Sequence, residues 1–178
     1  TIKMLAGQLT PSSGTIMVDG CDISIDPNLA RQKIGYVPEF PELYQYLTAR
    51  EMLEFVIEVR GKGDLEWGLE LTGLGSDADR PIREYSQGMR RKTALACAMI
   101  SKPSILILDE ALNGLDPSSV KRFQREFHQL IEEGTSIFLS THVLDSLERM
   151  ASRIIYIKKG ELQADCSIQE LDRIREDF

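Results

Sequence analysis

The chain has 178 residues, 42% of them hydrophobic and 28% charged, with a net charge of -7 at neutral pH. That is the composition of a globular protein able to bury one sizeable core, and its acidity argues against a large nucleic-acid footprint. Cys21, Cys97 and Cys166 are odd in number and far apart, which excludes a disulfide framework. No apolar run approaches the ~20 residues that cross a bilayer.

Ile2, Leu5 and Leu9 share one helical face, so a helix is expected to run to about Leu9. It starts without a cap, and Thr1 is read as a truncation point. Thr10-Pro11-Ser12-Ser13-Gly14 is a turn cluster, and Thr15-Ile16-Met17-Val18 is a strand closed by Asp19-Gly20. Asp26-Pro27 starts a short helix, because Asp caps and Pro suits the first helical position. Ile34-Gly35-Tyr36-Val37-Pro38-Glu39 is a strand leaving the core.

From Phe40 to about Lys102 the pattern turns helical. Thr48-Ala49-Arg50-Glu51 is a capping box, followed by Met52, Phe55, Val56 and Val59 at helical spacing. Gly61-Lys62-Gly63 breaks that helix and a short one resumes over 64–71, with Trp67 expected to be buried in the helical segment. Phe40 to Leu47, rich in aromatics, either receives a partner's helix or packs within the segment. Tyr85-Ser86-Gln87-Gly88-Met89 precedes a helix over 89–100. Unpaired N–H groups at such a start, with the helix dipole, make an anion site, and Arg90, Arg91 and Lys92 add positive field. An ordinary capped helix with a solvated basic face has the same sequence pattern.

Ile105-Leu106-Ile107-Leu108 is a continuous apolar run, as in a strand covered on both faces. It leads directly into Asp109 and Glu110. Ligands of open α/β sheets sit beyond the carboxyl ends of such strands, where one carboxylate can hold a hard cation and its neighbour can orient water. Asp116-Pro117 opens a helix over 118–133, and Ser136-Ile137-Phe138-Leu139-Ser140 is another buried strand. Thr141-His142 puts a histidine at the same crevice rim, before a helix over 143–150. His128 is expected to be a surface side chain. Segments 153–157 and 161–164 flank Lys158-Lys159-Gly160 as a hairpin, and a last helix covers 168–175. The order predicts an α/β, P-loop-like, mainly parallel sheet with flanking helices. Residues 1–39 and 103–178 form an incomplete core, and 40–102 an inserted helical subdomain.

With those residues in view, the chain resembles the ATP-binding subunit of ABC transporters over nearly its whole length. YSQGM at 85–89 looks like the signature LSGGQ, and ILILDE at 105–110 like Walker B followed by the catalytic glutamate. GLDP at 114–117 resembles the D-loop, THV at 141–143 the switch histidine, and IGYVPE at 34–39 the Q-loop. SSGTIMVDG at 12–20 and YSQGMRRK further resemble bacterial exporters of the ABC-2 type.

The resemblance implies a head-to-tail dimer of such domains with ATP at the interface. Asp109 would hold Mg²⁺, with Glu39 near it, and Glu110 would polarise the attacking water. His142 would contact the γ-phosphate. Ser86, Gln87 and Gly88 would bind the partner domain's ATP, and Asp116 would link the two sites. A transmembrane permease is the implied partner, placing the protein at the cytoplasmic face of the membrane, with no nucleic acid bound.

Three features depart from the family pattern. No G-x-x-x-x-G-K-[ST] occurs in the chain, and TIKMLAG at 1–7 resembles the helix that follows that loop. The expectation is a fragment cut just after the phosphate loop, lacking the upstream strands and weakly active by itself. Glu39 stands where the Q-loop has glutamine, and Gln87 and Met89 replace glycine and glutamine of the signature. The competing classes are a translation-associated ABC ATPase and a subunit that only donates its signature to a partner's site.

Overall fold

A computed structural model describes residues 1–141 and 151–173. These fall into two compact units, Thr1–Ser140 and Thr141–Phe178.

At the centre of the first unit is a parallel sheet of β3 (Ile34–Val37), β4 (Ile105–Asp109) and β5 (Ser136–Ser140), in that order. Val37 pairs with Leu108, and Asp109 with Ser140. The apolar run makes β4 the middle strand. Leu106, Ile107 and Leu108 are 2% exposed or less, and burying each contributes about 1.5–3 kcal/mol. Alternation sends Ile34, Tyr36 and Ile107 to one face, packed with Ala6, Ile23 and Ala30.

That face also receives α1 (Ile2–Leu5), the antiparallel hairpin of β1 (Met17–Val18) and β2 (Cys21–Asp22), and α2 (Pro27–Gln32). The opening helix stops at Leu5 instead of running to Leu9, and Gly7 turns the chain at a positive φ of 70°. Asp19-Gly20 closes a hairpin whose second strand, Cys21–Asp22, is too short for alternation to reveal. Asp26 caps α2 as expected, accepting from the Leu29 N–H at 3.1 Å.

Between β3 and β4 the chain makes a helical detour: α3 (Ala49–Arg60), α4 (Leu65–Thr72), two 3-10 turns and α5 (Gln87–Met99). Thr48 and Glu51 complete their capping box, and Gly61 ends α3 in the left-handed conformation. Ala49, Met52, Leu74, Ala78, Ile82 and Tyr85 form a separate apolar cluster.

This detour is tied firmly to the sheet. The Arg60 guanidinium donates to the carbonyls of Arg31, Gln32 and Ile34 at 2.8–3.0 Å. Trp67 is half-buried, not interior to the detour, and donates its indole N–H to Glu126 at 3.0 Å. Glu126 lies on α6 (Pro117–Glu132), whose buried Phe123, Phe127 and Leu130 share one side. His128, on the other side, is exposed as expected. On the far face of the sheet α5 approaches β3 so closely that only Gly35 fits there.

The second unit contains the antiparallel hairpin of β6 (Arg153–Lys158) and β7 (Glu161–Ser167). The expected final helix begins as a 3-10 segment, Ile168–Arg173. The expected helix over 143–150 lies outside the described residues.

Candidate functional site

The site is built where β4 ends. Asp109 is the last residue of the strand, and Glu110 follows at a φ of 50°, a left-handed conformation that a side-chain-bearing residue seldom adopts. Parallel pairing brings Ser140 alongside. Its hydroxyl donates to Asp109 Oδ1 at 2.6 Å and accepts the Glu110 N–H at 3.1 Å. One serine thus fixes both acidic residues. Asn113 donates its side-chain amide to Glu110 Oε2 at 2.8 Å, which sets the direction of that carboxylate.

Neither Ser140 nor Asn113 stands out in the sequence as a site residue. Ser140 closes an apolar strand, so only the register Asp109↔Ser140 reveals its role.

Tyr36 lies on the face of the sheet that also carries Ile107, and its hydroxyl is buried with no hydrogen-bond partner. Burial chiefly, and the Asp109 charge second, push its pKa up. An orphaned buried donor near a carboxylate marks a polar position open to a further group. Among the described residues no cluster of three or more His, Cys, Asp or Glu is arranged to hold a metal ion. A single hard carboxylate does suit Mg²⁺, which keeps several waters and takes other oxygens from phosphate.

The predicted anion site sits at the start of α5. Ser86 caps the helix, accepting the Met89 N–H at 3.3 Å, while Ser86 and Gln87 are exposed. The helix therefore begins at Gln87, two residues earlier than its sequence pattern suggests. A β-carbon added to Gly88 would meet only the Gly114 carbonyl at 3.8 Å and Ser86 Oγ at 3.9 Å, so the first turn lies open beside the Gly114 loop.

Two of the basic residues behind this turn, Arg90 and Arg91, are engaged elsewhere. Arg90 donates to the Arg83 carbonyl at 3.0 Å, and Arg91 to carbonyls of Glu39, Glu110 and Asn113.

Asp116 is exposed, but its carboxylate turns inward as the cap of α6. It accepts from the Ser119 N–H at 2.9 Å and from the hydroxyls of Ser118 and Ser119 at 2.5 and 2.6 Å. These hydroxyl bonds hold its pKa well below the usual carboxylate range. Glu39 is exposed just beyond β3, its carbonyl bound by Arg91 at 2.5 Å. His142 lies outside the described residues.

A family model described as ABC transporter matches residues 1–113, and the chain belongs to that family. It is 35% identical over 179 residues to the uncharacterized ABC transporter ATP-binding protein YdbJ of Bacillus subtilis (strain 168), covering 98% of this chain and 58% of that protein. To the bacitracin transport ATP-binding protein BcrA of Enterococcus faecalis it is 33% identical, covering 97% and 57% respectively. The chain thus spans less than two thirds of the length of these relatives.

A solved ATP-binding subunit of an ABC transporter superposes with a TM-score of 0.89 at 29% identity, covering 99% of this chain and 75% of that one. A second, the ATP-binding cassette MJ0796 in a dimeric post-hydrolysis state with ADP and Pi, gives 0.84 at 21%, over 94% and 78%. The fold is therefore the α/β, P-loop NTPase-like fold of ABC ATP-binding domains, as the order of elements predicted.

Proposed function

We propose that the whole protein binds and hydrolyses ATP and drives transport through a partner permease, in the manner of a bacterial ABC-2 type exporter. The observation that carries this reading is the pair Asp109 and Glu110 at the end of the middle parallel strand. Both are held by Ser140, and Asn113 directs the second.

Glu110 polarises the attacking water as general base, and Asp109 and Glu39 are the residues that would hold Mg²⁺. When bound, Mg²⁺ neutralises charge developing on the phosphate oxygens. His142 steadies the γ-phosphate. Ser86, Gln87 and Gly88 present first-turn N–H groups to the ATP of a second nucleotide-binding domain, and Asp116 stands at the boundary between the two sites. Residues 40–102 act as the subdomain that carries this signature turn.

The permease docks on the surface of that subdomain. Phe40, Tyr44 and Tyr46 are 60–82% exposed there, while Leu43 and Leu47 pack inward. Such an exposed aromatic patch favours a protein partner. The 178 residues contain no G-x-x-x-x-G-K-[ST]. Without that backbone nest and lysine, this length of chain binds nucleotide weakly by itself.

The test is Glu110→Gln in the whole protein. ATP binding should persist and an ATP-bound dimer accumulate, while turnover falls about 10²–10⁴-fold, the usual contribution of a general base. Hydrolysis at the wild-type rate would remove Glu110 from this role.

A further inference from the structure

Arg91 joins three segments that are far apart in sequence. It lies on α5, one turn beyond the signature cap Ser86. Its Nη1 donates to the Asn113 carbonyl and, at 3.4 Å, to the Glu110 carbonyl, and its Nη2 donates to the Glu39 carbonyl at 2.5 Å. All three acceptors are neutral backbone groups, so this is a fork of hydrogen bonds and not an ion pair. Only a planar guanidinium offers several donors in fixed directions; a lysine ammonium is a point charge that cannot span them.

The Glu110 carbonyl belongs to the residue at φ 50°. Strained conformations of this kind persist only where the surroundings over-determine them. Ser140 holds the N–H of Glu110 and Asn113 its carboxylate, while its carbonyl oxygen accepts from both the Asn113 N–H at 3.2 Å and Arg91. Among these bonds, the arginine's is the one that comes from the helical detour between β3 and β4. Movement of α5 relative to the sheet would therefore pull on the peptide that sets the aim of Glu110.

We propose that Arg91 is a positioning residue that makes the orientation of Glu110 depend on the placement of the signature helix. The proposal rests on the reading of Glu110 as the group that polarises water.

The experiment compares Arg91→Lys and Arg91→Gln in the whole protein with wild type and with Arg50→Lys. Arg50 is a control on the same detour, where it bonds Asp79 at 2.8 Å away from the β4 turn. Steady-state ATP hydrolysis should show kcat reduced about 10- to 100-fold in both Arg91 variants, the scale on which small misplacements act. KM for ATP and thermal midpoint should stay near wild type, and Arg50→Lys should match wild type throughout. In a Glu110→Gln background, adding Arg91→Lys should leave the single-turnover rate unchanged, because groups acting as one unit are not additive.

Wild-type kcat in Arg91→Lys would overturn the proposal while leaving the functional reading intact. So would an equal loss in both backgrounds. Absence of ATP hydrolysis in the wild-type protein would overturn the reading itself, and the proposal with it.

Discussion

Gly35→Ala isolates the contact that sets α5 against the sheet. The φ of Gly35 lies outside the left-handed region, so alanine meets no backbone strain there. What it lacks is room. An ideal β-carbon would stand 2.3 Å from the Ala98 carbonyl oxygen, 2.9 Å from Pro103 Cγ and 3.0 Å from Leu106 Cδ1. The first of these is backbone within α5 and cannot rotate away. Reaching even 3.0 Å, a separation that real β-carbons essentially never undercut, requires β3 and α5 to part by about 0.7 Å. Overpacking of this kind costs about 1–3 kcal/mol and occasionally more; a backbone oxygen on one side and the fully buried Leu106 on the other place this site at the upper end.

Gly61→Ala is the matched comparison, because it has open space but a φ of 70°. Its cost is the left-handed penalty alone, about 1–2 kcal/mol. Urea denaturation followed by circular dichroism should therefore rank wild type above Gly61→Ala and Gly61→Ala above Gly35→Ala. If Gly35→Ala proves as stable as wild type, or more stable than Gly61→Ala, α5 does not pack on β3 closely enough to exclude a β-carbon.

Ser140→Ala removes the hydroxyl bridging Asp109 and Glu110 while leaving the Ser140 carbonyl, which accepts the Glu110 N–H at 3.3 Å. Losing a hydrogen bond to a carboxylate costs about 1.5–3 kcal/mol. Titrating ATP hydrolysis of the whole protein with Mg²⁺ should show a requirement raised about tenfold or more, and an unchanged requirement refutes the bridge. Acid stability provides another check. The folded pKa of Asp116 is depressed by the Ser118 and Ser119 hydroxyls, so its contribution is complete above its ordinary value of 3.8 and disappears as pH falls through the lowered folded value. Asp116→Asn keeps the capping oxygen without the titration, and its melting temperature should decline less than that of wild type between about pH 5 and pH 2. Parallel declines would show that this carboxylate is not a source of acid lability.

Much of this protein is determined locally, and that part was legible. The run into Asp109 and Glu110, the capping box at Thr48, the Asp-Pro helix starts and the hairpin around Lys159-Gly160 each depend on neighbours a few residues away. Short-range sterics and hydrogen bonding settle such features. Motif order supplied the family for the same reason, since a motif is local chemistry repeated at recognisable intervals.

Tertiary structure decided how the acidic pair is held. Ser140 reaches Asp109 only through strand pairing 31 residues away, and Arg91 reaches Glu39 across 52. Trp67, expected to be buried in the helical detour, is only half-buried and bridges to Glu126 across 59 residues. A hydroxyl, a guanidinium or an indole carries no mark in sequence of which distant acceptor it will meet. That partner is selected when the sheet and its helices pack, because buried polar groups must find hydrogen bonds wherever the fold brings an acceptor.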